Sequence, residues 1–158
     1  MRASRLARYS WTMFDFANQP FYTLIMTFVF SVYFTDVFIV GADGAQKLTL
    51  TQTISGLAIA VLSPVLGSIT DIKGNRKILM GITSALFVLG MALLWYSPPG
   101  APDGIWLVMF GLILASSMVG FSEVFNNSVL STIETPENSG WLSGMGYGVG
   151  YIAGLIAL

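Results

Sequence analysis

The chain contains no cysteine and no histidine, and only 9% of its 158 residues are charged. Without cysteine there is no disulfide, no thiol nucleophile and no thiolate metal site. Without histidine as well, most zinc chemistry and nearly all familiar acid–base triads are excluded. Soluble domains run at about a quarter charged. So few charges cannot build a water-facing surface, so lipid has to be the solvent for much of the molecule. The net charge of −1 offers no basic field to attract phosphate, which argues against a nucleic-acid partner. No cofactor is implied.

What the chain has instead is apolar length: 54% of its residues are hydrophobic. A membrane span needs about 20 mostly apolar residues. Five such runs can be read, over 11–40, 51–70, 78–96, 105–130 and 141–158. The expectation is an all-α integral membrane protein with about five transmembrane helices after a basic segment at 1–10. Asp43-Gly44 and Lys47 mark the first predicted loop. The proline-rich SPPGAPDG at 97–104 cannot continue a helix. Residues 134–140, with Pro136 and Gly140, make the last predicted loop. The four tryptophans, Trp11, Trp95, Trp106 and Trp141, all fall at predicted span ends, where indole prefers the headgroup level.

The N-terminus MRASRLARYS is basic and precedes an apolar run, as a signal peptide would. The run is too long, however, carries Asp15, Asn18 and Pro20 early, and lacks a convincing small-residue cleavage site. It is read as an uncleaved first span. Alternation of the spans puts Arg2, Arg5, Arg8, Lys73, Arg76 and Lys77 on one side, with Lys47 alone on the other. The cation-rich side is expected to be cytoplasmic, with the N-terminus inside. The last run stops in apolar sequence with no anchoring cation, so the chain is expected to be the front part of a longer protein.

Polar residues inside spans need a reason, because a charge at a helix centre costs about 2.5–3.5 kcal/mol on insertion scales. Asp15, Asn18, Gln19 and Tyr22 share one helical face. Pro20 removes a backbone donor beside them. This patch reads as a substrate site, a proton site or part of an inner gate. It reads equally as an interfacial helix start with Asp15 reaching water. Glu123, Asn126 and Asn127 form a similar stripe near the inner end of the fourth span. Asp36, at the outer end of the first, reads as a solvated cap. The fifth run carries two glycine stripes, Gly140, Gly144 and Gly148, and Gly146, Gly150 and Gly154. Small residues at that spacing let helix backbones approach closely in lipid; the expectation is packing, with helix sliding during transport as the sharper alternative.

The segment GSITDIKGNRK, Gly67 to Lys77, lies between two apolar runs and holds one acid and three cations. It resembles the loop between the second and third spans of major facilitator superfamily transporters, G-x-L-a-D-r-x-G-r-[RK]. Gly67, Asp71, Gly74 and Arg76 match, while Ile72 and Asn75 stand where arginine is common. A narrower resemblance runs from Trp11 onward. WTMFDFANQPFYTLIMTFVFSVYF is similar to the opening of the autophagy-related vacuolar effluxer-like group, and LSPVLGSITD, FNNSVLSTI and SGWLSGMGYGVGYIAGL match further. The resemblance implies about twelve helices in two six-helix halves, five of them in this chain.

It also implies that Asp71 and Arg76, with Glu123 as third member and Lys77 beside them, form a latch closing the cytoplasmic side. The turn glycines would serve close approach at Gly67 and a left-handed turn at Gly74. The expected function is secondary transport of small organic solutes, amino acids among them, by alternating access. The expected partners are the bilayer, the solute and the remaining helices of the same transporter, in a bacterial cytoplasmic membrane. A truncated or non-transporting membrane subunit is the alternative. An enzyme is not expected, since isolated carboxylates are all that remain for catalysis.

Overall fold

The computed structural model describes residues 4–73, 76–99 and 102–158, with the backbone alone for 69–73 and 102. Among the described residues every regular element is helical.

Helix α1 starts at Arg5, where Ser4 Oγ accepts the Ala7 N–H at 3.2 Å and satisfies one of the donors a helix start leaves open. It runs on to Phe38 and is a regular α-helix over Arg5–Pro20. Pro20 has no N–H to give the Phe16 carbonyl, and from the next residue the backbone widens. Phe21–Phe28 and Phe34–Phe38 are π-helical, separated by one α turn at Phe30–Tyr33. The wider ladder shows in Val29 N–H donating to Leu24 O and Ile39 N–H donating to Phe34 O, both at 2.9 Å. The hydroxyl of Thr27 reaches back five residues to Tyr22 O at 2.9 Å. Runs of π-helix this long are rare, and π turns cluster at functional sites.

Helix α2 spans Ala42–Lys73, so the expected loop at Asp43, Gly44 and Lys47 is instead its first turns. Asp43 in the first turn suits the positive end of the helix dipole and pairs with Lys47 one turn on. The turn itself is made by Gly41, whose φ of 91° is the only positive φ among the described residues. Helix α3 spans Arg76–Leu93 and tightens into a 3₁₀ turn at Leu94–Tyr96. Helix α4 spans Ile105–Ile133, and α5 spans Pro136–Ala157. Of the expected last loop, only Glu134 and Thr135 are non-helical. Pro136 opens α5, because its missing N–H would have had no partner there anyway.

Among the described residues, four helices are long and apolar enough to cross a membrane: Arg5–Phe38, Ala42–Ser68, Arg76–Tyr96 and Ile105–Ile133. The fifth predicted span forms its helix, but six glycines over 140–157 dilute its apolar content, and it falls outside that set.

The chain divides into two compact units. Val32–Phe125 holds the end of α1, all of α2 and α3, and most of α4. Here α4 supplies much of the core, burying Val108, Met109, Leu112, Ala115, Val119, Phe121 and Phe125. Thr83 Oγ1 and Ser122 Oγ share a hydrogen at 2.6 Å, tying α3 to α4, and Tyr33 OH donates to Ser97 O at 2.5 Å. Interhelical bonds of this kind contribute about 0.6 kcal/mol each. On α2 the opposite holds: Leu50, Ile54, Leu57, Val61 and Val65 line up exposed. A patch of that size facing water would be an aggregation site, and facing lipid it is at home. The other unit, Met1–Ser31 with Asn126–Leu158, brings the start of α1 against α5 and the end of α4.

Candidate functional site

The Met1–Ser31 and Asn126–Leu158 unit holds most of the polar residues expected to carry function. Trp11, 5% exposed, donates from Nε1 to the backbone oxygen of Asn126 at 2.8 Å. One turn earlier, Arg8 Nη2 meets Glu134 Oε2 at 2.9 Å. The Glu134 carboxylate also accepts the Thr135 N–H through Oε1 at 3.2 Å. It sits immediately before the N-terminus of α5, where the helix dipole favours negative charge. Arg8 and Glu134 thus fasten the start of α1 to the end of α4, and Trp11 repeats the contact one turn further in.

Beyond them α1 runs along the glycines of α5. A methyl group on Gly146 would lie 2.5 Å from Asp15 Oδ2 and 3.1 Å from the Trp11 ring. On Gly150 it would lie 3.4 Å from Asp15 O, and on Gly154 2.5 Å from Thr23 Oγ1 and 3.3 Å from Gln19 Cγ. Contacts rise in number along both helices together, so α1 and α5 run parallel. Of the two glycine stripes, Gly146, Gly150 and Gly154 face α1, whereas Gly140, Gly144 and Gly148 have no neighbour within 4 Å among the described residues.

Between these helices lies a cavity of about 210 Å³ lined by Gln19, Tyr22, Thr23, Thr27, Phe28, Tyr151, Gly154, Leu155 and Leu158. Gln19 and Tyr22 were expected at a site; Thr23, Thr27 and Tyr151 were not. Uncharged hydroxyls on an apolar helix give little signal, although the four-residue spacing of Gln19, Thr23 and Thr27 was there to read.

Asp15 is half-buried, with its carboxylate over Gly146, and it makes no ion pair or hydrogen bond among the described residues. Asn18 is half-buried, and Asn126 is 5% exposed; the Nδ2 atoms of both are buried without a partner among the described residues. Asn127 is exposed. Buried amide donors without an acceptor are uncommon and mark sites where water or a ligand belongs.

The loop motif is covered in part. Gly67 lies within α2, and a methyl there would meet no other described residue within 4 Å. Asp71 is on the last turn of α2 with its side chain outside the described residues, and Gly74 lies outside them altogether. Arg76 is half-buried at the first residue of α3, Lys77 is exposed beside it, and Glu123 is half-buried on α4.

No family model matches the chain, and no solved structure matches it significantly. Two curated proteins do. The MFS-type transporter YxiO of Bacillus subtilis (strain 168), itself uncharacterised, is 29% identical over 153 residues, covering 93% of this chain and 35% of that protein. An uncharacterised protein of Aquifex aeolicus (strain VF5) is 33% identical over 139 residues, covering 86% of this chain and 34% of its own length. The chain therefore spans about a third of the length of the curated relatives it matches, and over most of its own length it is distantly homologous to an MFS-type transporter.

Proposed function

We propose that the chain forms part of a secondary transporter, a permease for small organic solutes that works by alternating access across a bacterial cytoplasmic membrane. The observation that carries this reading is the similarity to an MFS-type transporter over 93% of the chain, which takes in the four apolar helices. Transport rather than catalysis also suits polar side chains buried within spans and lacking protein partners. Amino acids are the solute class that the narrower resemblance suggests.

The N-terminus is read as cytoplasmic. In support, the Arg8–Glu134 pair joins the start of α1 to the end of α4, two points that four alternating crossings leave on one side. Parallel α1 and α5 fit the same alternation. Asp71, Arg76 and Glu123 are proposed as the cytoplasmic latch. Charges in a partly dry interface are costly to separate, so opening has to be driven by a ligand that favours the open state. Asp15 is proposed as the proton-coupling group.

The test is flux in proteoliposomes made with the full-length protein. The reading expects saturable solute exchange that responds to a pH gradient and loses that response in Asp15→Asn. Exchange that is saturable but independent of pH would remove the coupling role of Asp15. No exchange of any organic solute, with protein correctly inserted, would remove the transporter reading.

A further inference from the structure

Asp15 is short of partners where a carboxylate needs them. It is half-buried, its Oδ2 lies over Gly146, and it makes no hydrogen bond or ion pair to a described residue. The other charged groups described in the Met1–Ser31 and Asn126–Leu158 unit are Arg5, Arg8, Glu134 and Glu137. Arg8 is occupied by Glu134 at 2.9 Å. Arg5 lies about 15 Å before Asp15 along the helix. Glu137 is an acid in the first turn of α5, about two and a half turns before Gly146. Beyond it the titratable residues of α5 are Tyr147 and Tyr151, both exposed. No cation of this unit therefore answers Asp15. A charge held partly out of water without a counter-ion has to be met by hydrogen-bond donors.

Two such donors stand unused beside it. Asn126 is 5% exposed, and its Nδ2 is buried with no acceptor among the described residues. The Nδ2 of Asn18 is in the same condition. Asn18 follows Asp15 by one turn on the same face of α1. Asn126 is tied to that face by Trp11, whose Nε1 donates to its backbone oxygen at 2.8 Å. The six-membered ring of the same indole would lie 3.1 Å from a methyl on Gly146, and Asp15 Oδ2 would lie 2.5 Å from that methyl. One indole thus reaches from Asn126 to the place of the Asp15 carboxylate.

An acceptor without donors and donors without an acceptor, gathered round one indole, specify what joins them. Buried waters make about three hydrogen bonds each, to polar groups that protein atoms leave unsatisfied. Water donates to a carboxylate and accepts from an amide N–H, so it bridges groups that do not meet directly. Asp15 and Asn18 keep part of their surface exposed, which leaves the site a side from which water enters.

We propose that Asp15, Asn18 and Asn126 bind water at the junction of α1, α5 and the end of α4. The site stands on the packing of this unit and holds whatever the chain transports. Its consequence for coupling rests on the transporter reading: this water is the medium in which Asp15 exchanges its proton.

The test uses the full-length protein in detergent, with water itself as the probe. X-ray radiolysis converts bound water into hydroxyl radicals that oxidise the side chains beside it, and mass spectrometry locates the oxidation. Trp11 and Phe21 are equally hidden from bulk solvent, at 5% and 4% exposed. After correction for the intrinsic reactivity of each ring, Trp11 is expected to be oxidised in excess of Phe21. Asn126→Leu is expected to reduce that excess, and Asn18→Leu with Asn126→Leu to abolish it. Asn126→Asp, which keeps the shape and the polar atoms, is expected to retain it, and matching melting temperatures exclude a folding defect. Trp11 oxidised no more than Phe21 in the wild type overturns the site, as does an excess undiminished in the double variant. Flux in proteoliposomes separates the two readings. Loss of the excess together with loss of the response to a pH gradient upholds both. Loss of the excess with that response intact upholds the water site and removes its part in coupling. No excess in a wild type that exchanges solute overturns the site and leaves the transporter reading standing.

Discussion

Arg8 donates from Nη2 to Glu134 Oε2 at 2.9 Å, and the Glu134 side chain it meets is only 2% exposed. The pair joins two helix ends far apart in sequence, at the point where α5 begins. Removing one partner of a buried pair leaves the other uncompensated, which costs about 3–5 kcal/mol. Arg8→Ala is therefore expected to destabilise the full-length protein by about that much, and Arg8→Ala with Glu134→Gln to recover most of the loss. Thermal or denaturant unfolding in detergent measures both. Equal stability of the single and double variants would show that the pair contributes nothing beyond its individual side chains.

Gly146 and Gly150 face the same helix but have different room. An added methyl at Gly146 meets the Trp11 ring and the Asp15 carboxylate, while at Gly150 it makes ordinary contact. Overpacking costs about 1–3 kcal/mol, against a helix-propensity gain for alanine of about 0.8–1.0 kcal/mol. Gly146→Ala is expected to destabilise, and Gly150→Ala to be neutral or mildly stabilising. Melting temperatures that rank the two the other way would contradict the parallel packing of α1 on α5.

The orientation is open to direct chemistry, because this chain has no cysteine of its own. Pro99→Cys is expected to react with a membrane-impermeant maleimide added outside intact cells. Asn138→Cys, in the first turn of α5, is expected to react only after the membrane is opened. The reverse pattern would invert the reading.

For the latch, Asp71→Asn and Glu123→Gln are each expected to shift the full-length protein toward its inward-open form. The shift would appear as increased labelling of a cysteine placed on the cytoplasmic side of the solute pathway, and as altered exchange rates. Labelling and exchange unchanged in both variants would leave Asp71, Arg76 and Glu123 as topology determinants alone.

Much of this architecture was legible in the residues. The apolar runs located the five long helices, and one of the two four-residue glycine stripes faces α1. Which stripe packs was not legible, since Gly144 and Gly146 look alike until Trp11 and Asp15 are set against one of them. The start of α2 was misread because Asp43-Gly44 has the composition of a turn. The left-handed residue is in fact Gly41, which leaves Asp43 free to serve the helix. Arg8 and Glu134 were each visible as charges, but a pairing across so many residues has no local signature. The cavity hydroxyls were missed for a different reason. Thr23, Thr27 and Tyr151 carry no charge, and hydropathy alone treats them as filler in an apolar helix.

The parallel run of α1 and α5 gives their seam a direction. Along α1, the indole of Trp11 comes first and the small hydroxyl of Thr23 last, and the glycines of α5 receive them in that order. Had α5 run the other way along α1, Gly154 would meet the indole and Gly146 the hydroxyl, and the fit would be lost. The steric sequence along this seam therefore admits α5 in one direction only.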